Sequence, residues 1–442
     1  MSQSLNQSPS QSLDQSPEQG SDQHQSTGLQ DSQLWVLKAS TAPKDSLLEQ
    51  SRTAFDRILT RPELGFARVM SRGSALNAVE SRAREVSRSS THMVVIGMGG
   101  SSLGGRALIS ATPKPRGRGS VSFFDNVDSE KFWCWLKSRN DLGTIHWVLV
   151  SKSGNTVETL AMADFVDQQL RQSGHRRLST VSTVISELKE SPLTNWARKE
   201  GVPILEIPQD VGGRFSVLTA VGLLPAVFAG LRLDRVQEGA AWALASRETI
   251  AQAAALSLDS FIREEWVTML WSYADGLRDF GGWWQQLWAE SLAKKANLSG
   301  GPAPRVSTPV AAVGACDQHS LLQQVIEGAP DKFVWFQRVL ESETTGPRLE
   351  RTLFEGQELM VGRSLGELFQ AEAEATEQAM CESGLRTARL TTERLDERSL
   401  AGLFMFWQLV IAVMGEVLHI NAFNQPGVER GKLIAKSILK PS

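Results

Sequence analysis

The chain is poor in the residues that mark several large classes of protein. Only three cysteines occur in 442 residues, Cys134, Cys316 and Cys381, with no CxxC pair and no metal-ligand spacing. That count excludes a disulfide scaffold and fits reduced thiols; Cys316 reads as a buried structural thiol. Basic residues are not in excess: 46 Lys and Arg stand against 49 Asp and Glu, a net charge of −3. A nucleic-acid binder needs a basic footprint that is missing here, so no nucleic-acid partner is expected. Long apolar runs are missing too. The stretches Ala220–Leu231 and Leu403–Gly415 are too short to span a bilayer and read as buried helices, so no membrane partner is expected. The N-terminus has neither a positive patch nor an apolar core, which argues against a secretory signal and for a cytoplasmic setting.

What is present divides the chain. Residues 1–33 form a Gln/Ser-rich tract with a near-perfect repeat, SQSLNQSP then SQSLDQSP, and read as a disordered tail. Residues 34–85 read as a mixed, mainly helical N-terminal segment, with Trp35, Val36, Leu37, Phe55, Ile58 and Leu59 as core candidates. From about residue 86 short apolar runs alternate with helical stretches: Met93–Ile96, Val121–Phe124, Trp147–Val150, Val181–Ile185 and Ile204–Ile207. A second alternating unit follows a long helical region, with Val310–Val313 and Phe333–Phe336 as its clearest strands. Such alternation implies an α/β fold with parallel sheets covered on both faces, and 442 residues suit two domains. The apolar helix Val217–Phe228 ends in Ala-Gly, which places a boundary near Gly230–Glu238, so the units expected are 86–232 and 233–442.

Two strand-to-helix loops carry the anion-binding signal. The first, Gly97-Met98-Gly99-Gly100-Ser101-Ser102-Leu103-Gly104, follows a strand and precedes a helix. Glycines let backbone N–H groups approach an oxyanion, and a helix N-terminus adds partial positive charge. A dinucleotide site is the rival, since Asp125 ends the next strand, but Ser102 stands where the third glycine of G-x-G-x-x-G belongs. A tight turn for helix–sheet packing reads the same glycines equally well. The second loop, Ser151-Lys152-Ser153-Gly154-Asn155-Thr156, brings three hydroxyls and an ammonium to the carboxyl end of a strand, where open α/β sheets bind ligands. One N-cap hydroxyl would serve the helix alone, so three favour an anion. Glu158 must then point away or find a cation.

Four further segments hold groups able to do chemistry. Arg214, in Gly212-Gly213-Arg214-Phe215-Ser216, opens an apolar helix against its dipole and so calls for an anionic partner, a catalytic one or simply Asp210. In Trp283–Leu292, Trp284, Leu287, Trp288 and Leu292 make an apolar stripe, while Gln286 and Glu290 share another face. A carboxylate beside tryptophans suits a general base; a solvated face over a core is the plainer reading. His319 opens a helix just after Val310–Val313, in a chain with six histidines. Gln425, Glu429 and Lys432 share one face of a last helix that starts at Pro426, which equally describes an exposed charged end.

Together these segments resemble the phosphoglucose isomerase family. The resemblance rests on Gly97–Gly104, Ser151–Thr159, Gly212–Gly230 (GGRFSVLTAVGLLPAVFAG), Gln285–Lys294, Gly314–Gly328 and Asn421–Lys432 (NAFNQPGVERGK), in the family's order from about residue 90 to the end. It implies two sugar-isomerase-type, doubly wound domains with mostly parallel sheets. It also implies metal- and cofactor-independent interconversion of glucose 6-phosphate and fructose 6-phosphate through an enediolate, in glycolysis and gluconeogenesis. Carried over by position, Glu290 is the base, Arg214 stabilises the enediolate, and His319 and Lys432 help open the sugar ring. Ser101, Ser151, Ser153 and Thr156 match phosphate ligands; Gly100, Lys152, Gln286 and Gln425 match other pocket positions. The family's histidine comes from the neighbouring subunit, which implies a homodimer with a shared site. Ala293, Ala422, Asn424 and Asn155 depart from the family's commonest residues and bear on loop shape. The anion loops alone would also suit a non-catalytic sugar-phosphate sensor, and acceptance of mannose 6-phosphate stays open.

Overall fold

The β-branched and apolar runs become strands because their alternate side chains have two faces to fill. A computed structural model describes residues 34–112, 119–174 and 177–439; the Gln/Ser-rich tract at 1–33 lies outside them. Among the described residues ten strands form two five-stranded sheets. The strands are β1 (Trp35–Ala39), β2 (His92–Ile96), β3 (Ser120–Phe124), β4 (His146–Val150), β5 (Ser182–Ser186), β6 (Ile204–Glu206), β7 (Val267–Tyr273), β8 (Thr308–Val313), β9 (Lys332–Val339) and β10 (Arg386–Thr392).

The first sheet runs β3-β2-β4-β5-β6 and all its pairings are parallel; Val94 lies opposite both Ser122 and Trp147. The second runs β1-β10-β9-β7-β8 and is parallel except for β1, which joins β10 antiparallel. Both are covered on two faces. Met93 and Val95 of β2 enter the central core, whereas Val94 and Ile96 enter a separate core on the other side. In β7, Leu270 faces the central core and Met269, Trp271 and Tyr273 face a third. This is the doubly wound α/β arrangement expected from the alternation.

The central core extends from one sheet to the other through the helices Ala220–Ala229, Leu233–Ala245, Arg278–Leu292 and Glu397–Val417. Trp284, Trp288, Trp335 and Trp407 are fully buried there and meet largely edge to face, with Trp335 and Trp407 centroids 5.3 Å apart. Each such side chain contributes roughly 1.5–3 kcal/mol by leaving water. The helix Glu397–Val417 is longer than the apolar run Leu403–Gly415 suggested, because Asp396 and Ser399 form a capping box well upstream. By length and composition its 21 residues could cross a membrane, but 89% of its most apolar window is buried inside the fold.

Three strands differ from the sequence reading. The segment expected to be mainly helical opens with β1, and its helices start only at Asp45. Trp35, Phe55 and Ile58 are buried as expected, but Leu59 is exposed. β7 occupies the region read as helical. β10 carries Arg386 and Arg389, which find carboxylate partners and so hide a strand behind a charged sequence. All three cysteines are exposed, Cys316 included, so the buried-thiol reading of it does not hold.

Candidate active site

Both anion-loop candidates leave the carboxyl ends of neighbouring strands, β2 and β4. In the first loop Gly99 has φ +53°, and a Cβ on Gly100 would lie 2.5 Å from the Gly213 carbonyl. A Cβ on Gly104 would meet Val217 at 2.6 Å. The close-packing reading of these glycines is therefore realised, and what they pack against is the Arg214 segment itself. Gly99 also abuts Gln286, whose Nε2 would lie 3.0 Å from a Cβ there. Ser101 is half-buried. Ser102 is fully buried and donates to Asp125 (3.0 Å), which also pairs with Arg106 (2.8 Å). The acid at the end of β3 is thus occupied within the first loop's own surroundings.

The second loop is held from within. Ser151 is buried; its Oγ lies 2.8 Å from Thr156 Oγ1 and accepts the Gly154 N–H. Gly154 has φ +67°. Ser153 is exposed, and Asn155 bonds back to it through both its backbone and its side-chain nitrogen. Lys152 Nζ reaches the Val211 carbonyl (2.8 Å) and Glu187 (3.2 Å), which fastens this loop to the approach to Arg214. Glu158 is exposed at the surface.

Arg214 is the hub of these contacts. It lies in a 3-10 turn, Gly213–Leu218, rather than at the start of the apolar helix, which begins at Ala220 behind a Thr219 cap. Only 2% of the residue is exposed. Its Nη1 donates to Glu290 Oε2 (3.1 Å) and Gln425 Oε1 (3.0 Å). Its Nε donates to Ser291 Oγ (2.7 Å), and Nη2 to the carbonyls of Ala422 (2.6 Å) and Asn424 (3.1 Å). Burial lowers the guanidinium pKa, and Glu290 opposes that shift. Asp210, the other candidate partner, pairs with Arg72 instead (2.6 Å).

Glu290 stands on the helix Arg278–Leu292, whose stripe Trp284, Leu287, Trp288 and Leu292 is fully buried. Its second oxygen accepts from Gln286 Nε2 (3.0 Å), one turn earlier. Among the described residues the buried Gln286 Oε1 has no hydrogen-bond partner. The structure therefore gathers Glu290, Arg214, Gln286, Gln425 and Gly100 from four distant parts of the chain.

It does not gather all the candidates. His319 is exposed in a 3-10 turn, Cys316–His319, and among the described residues no hydrogen bond or ion pair joins it to Glu290, Arg214 or either loop. The turn is anchored by its neighbours: Asp317 accepts the Val313 N–H, and Gln318 donates to Tyr273 and Thr376. Lys432 is exposed on the helix Glu429–Ile438 and pairs with Glu429 (2.8 Å).

Ser291 and the carbonyls of Ala422 and Asn424 are parts of the site that sequence reasoning missed. Ser291 sits next to the candidate base, which was the available signal. The carbonyls have none, because any residue supplies one. That also explains why the unusual Ala422 and Asn424 leave these contacts intact. At Ala293, φ is −72°, which any residue adopts, so glycine is not required there. Among the described residues no three His, Cys, Asp or Glu side chains converge as metal ligands.

The phosphoglucose isomerase family model matches residues 77–442. The glucose-6-phosphate isomerase of Carboxydothermus hydrogenoformans is 34% identical over 381 residues, covering 82% of this chain and 81% of the relative. That of Rubrobacter xylanophilus is 33% identical over 405 residues, covering 87% and 90%. Among solved structures, a hypothetical protein from Thermus thermophilus superimposes with a TM-score of 0.80 at 32% identity, covering 90% of this chain and 95% of that one. A glucose-6-phosphate isomerase from Chlamydia trachomatis shares the fold, with a TM-score of 0.78 at 21% identity over 92% and 88% of the two chains. With a match over most of its length and relatives above 30% identity across four-fifths of it, the chain belongs to the phosphoglucose isomerase family.

Proposed function

We propose that the chain interconverts glucose 6-phosphate and fructose 6-phosphate, as a cytoplasmic enzyme of glycolysis and gluconeogenesis. The observation that carries this reading is the Glu290 carboxylate held between Gln286 and a buried guanidinium. The two loops grip the phosphate through Ser101, Ser151, Ser153, Thr156 and nearby N–H groups, with Gly100 and Lys152 shaping the cradle. The phosphate is remote from the reacting carbons, so its binding orients them. Glu290 takes the C2 proton of the open-chain aldose; the C–H electrons form the C1–C2 double bond, and the C1 carbonyl oxygen becomes anionic. Arg214 faces that enediolate, whose charge develops only during reaction. The C2 hydroxyl proton passes to the C1 oxygen, and return of the carbon-derived proton from Glu290 to C1, with the carbonyl re-formed at C2, gives the ketose. Gln425 and Gln286 line the pocket, where Gln286 Nε2 donates to the Glu290 carboxylate.

Ring opening is assigned to His319 and Lys432. Both are exposed in one chain, so we place His319 in the site of a second copy of a homodimer. Exposed apolar residues on the same molecule, among them Leu359 (73%), Leu365 (77%) and Leu433 (68%), suit burial against such a partner. The test is a coupled assay with each hexose phosphate in metal-free buffer. Turnover in both directions is expected; purified, folded protein without turnover would contradict the reading.

A further inference from the structure

We propose that Lys294 is a positioning residue for this reaction, tying the helix of the base to the loop that carries Gln425. The inference rests on the isomerase reading and deepens it. Lys294 Nζ donates to two backbone carbonyls, those of Glu290 (2.6 Å) and Asn424 (2.6 Å). The Asn424 carbonyl also accepts from Arg214 Nη2, while Arg214 Nη1 holds both the Glu290 carboxylate and Gln425. The contacts close a ring. From the Glu290 carboxylate it passes through Arg214 to the Asn424 carbonyl, and through Lys294 back to the Glu290 backbone. Arg214 fixes the side chain of the base, and Lys294 fixes its main chain.

A lysine near a helix C-terminus ordinarily satisfies a free carbonyl and favours the dipole. Two features separate Lys294 from that case. Its second acceptor lies 130 residues away, in the same loop that holds Arg214. It is also only half-exposed, and burial, aided by the Arg214 charge and opposed by Glu290, lowers its pKa to about 8. The fold keeps a cation at a place where desolvation disfavours it. Above that pH a neutral amine has two protons rather than three to donate, and no charge to hold the carbonyls. The bridge is therefore intact below about pH 8 and weakens as pH rises through it.

The experiment uses the full-length protein and measures kcat and KM for fructose 6-phosphate from about pH 7 to pH 10, a range chosen to bracket the titration of a depressed lysine. Lys294→Met should lower kcat by about tenfold to a hundredfold with KM changed by less than about threefold, since the phosphate grip is untouched. Lys294→Arg keeps a cation that does not titrate in this range. It should retain most of the activity and lack the fall in kcat expected of the wild type near pH 8. A Lys294→Met kcat within about twofold of wild type would overturn the proposal. So would a Lys294→Arg profile that still falls near pH 8, a comparison that stands even if the methionine variant does not fold. Absence of wild-type turnover would instead remove the isomerase reading, so the two failures are distinguishable.

Discussion

Arg214 and His319 are opposites. The arginine is sealed in the interior with five hydrogen-bond acceptors, and the histidine stands exposed on a short turn with none of the site's groups bonded to it. Lys432 shares the exposure of His319, and Glu290 shares the contacts of Arg214. The candidate site is thus in two halves. The half assigned to proton transfer is assembled by one chain, at the meeting of both sheets' helices. The half assigned to ring opening is displayed on the surface. Preorganised charge stabilisation needs rigid surroundings, which the core around Trp284 and Trp407 supplies. A group that serves a second copy has to be exposed in the first.

This contrast orders the effects of substitution. Glu290→Gln keeps one acceptor oxygen for Arg214, turns the other into an NH2 donor facing Gln286 Nε2, and removes the base. It should lower kcat by about 10²–10⁴-fold while sugar-phosphate binding stays near wild type. Steady-state kinetics with isothermal titration would check it, and an unchanged kcat would move the proton transfer elsewhere. Arg214→Met should lose turnover and also stability, by roughly 3 kcal/mol or more, because several buried acceptors lose their donor at once. Urea unfolding measures that loss. Gly100→Ala should cost about 1–3 kcal/mol, since its Cβ would press on the Gly213 carbonyl and displace Arg214. On the other half, Lys432→Met should leave the unfolding free energy of the chain within about 0.5 kcal/mol. A loss there as large as that of Arg214→Met would erase the distinction between interior and surface.

Much of this arrangement was legible in the residues. The first sheet follows from its short β-branched runs, and both loops announce themselves by glycine and hydroxyl content at strand ends. Harder to see were β1, a five-residue edge strand, and β10, where Arg386 and Arg389 are neutralised by carboxylates such as Glu265 and Glu377, distant in sequence or on another element. Periodicity cannot register a charge that is paired only after folding. For the same reason the sequence posed Asp210 and a catalytic acid as alternatives for Arg214, and only the fold sends Asp210 to Arg72. The carbonyls of Ala422 and Asn424 lie beyond any reading of side chains. They also show why departures from a family pattern at those positions need not disturb the contacts made there. His319 was found as a residue, but its exposed placement relative to Glu290 emerges only in three dimensions.

The division into two halves has one direct test. Glu290→Gln and His319→Ala are each prepared as inactive full-length variants, mixed, dissociated and reassociated. If the site takes its base from one subunit and its histidine from the other, each mixed dimer contains one site with both groups intact. Random reassociation should then restore about a quarter of wild-type activity. Reassociated dimers that stay as inactive as the separate variants would contradict a shared site and require His319 to act, if at all, within its own chain.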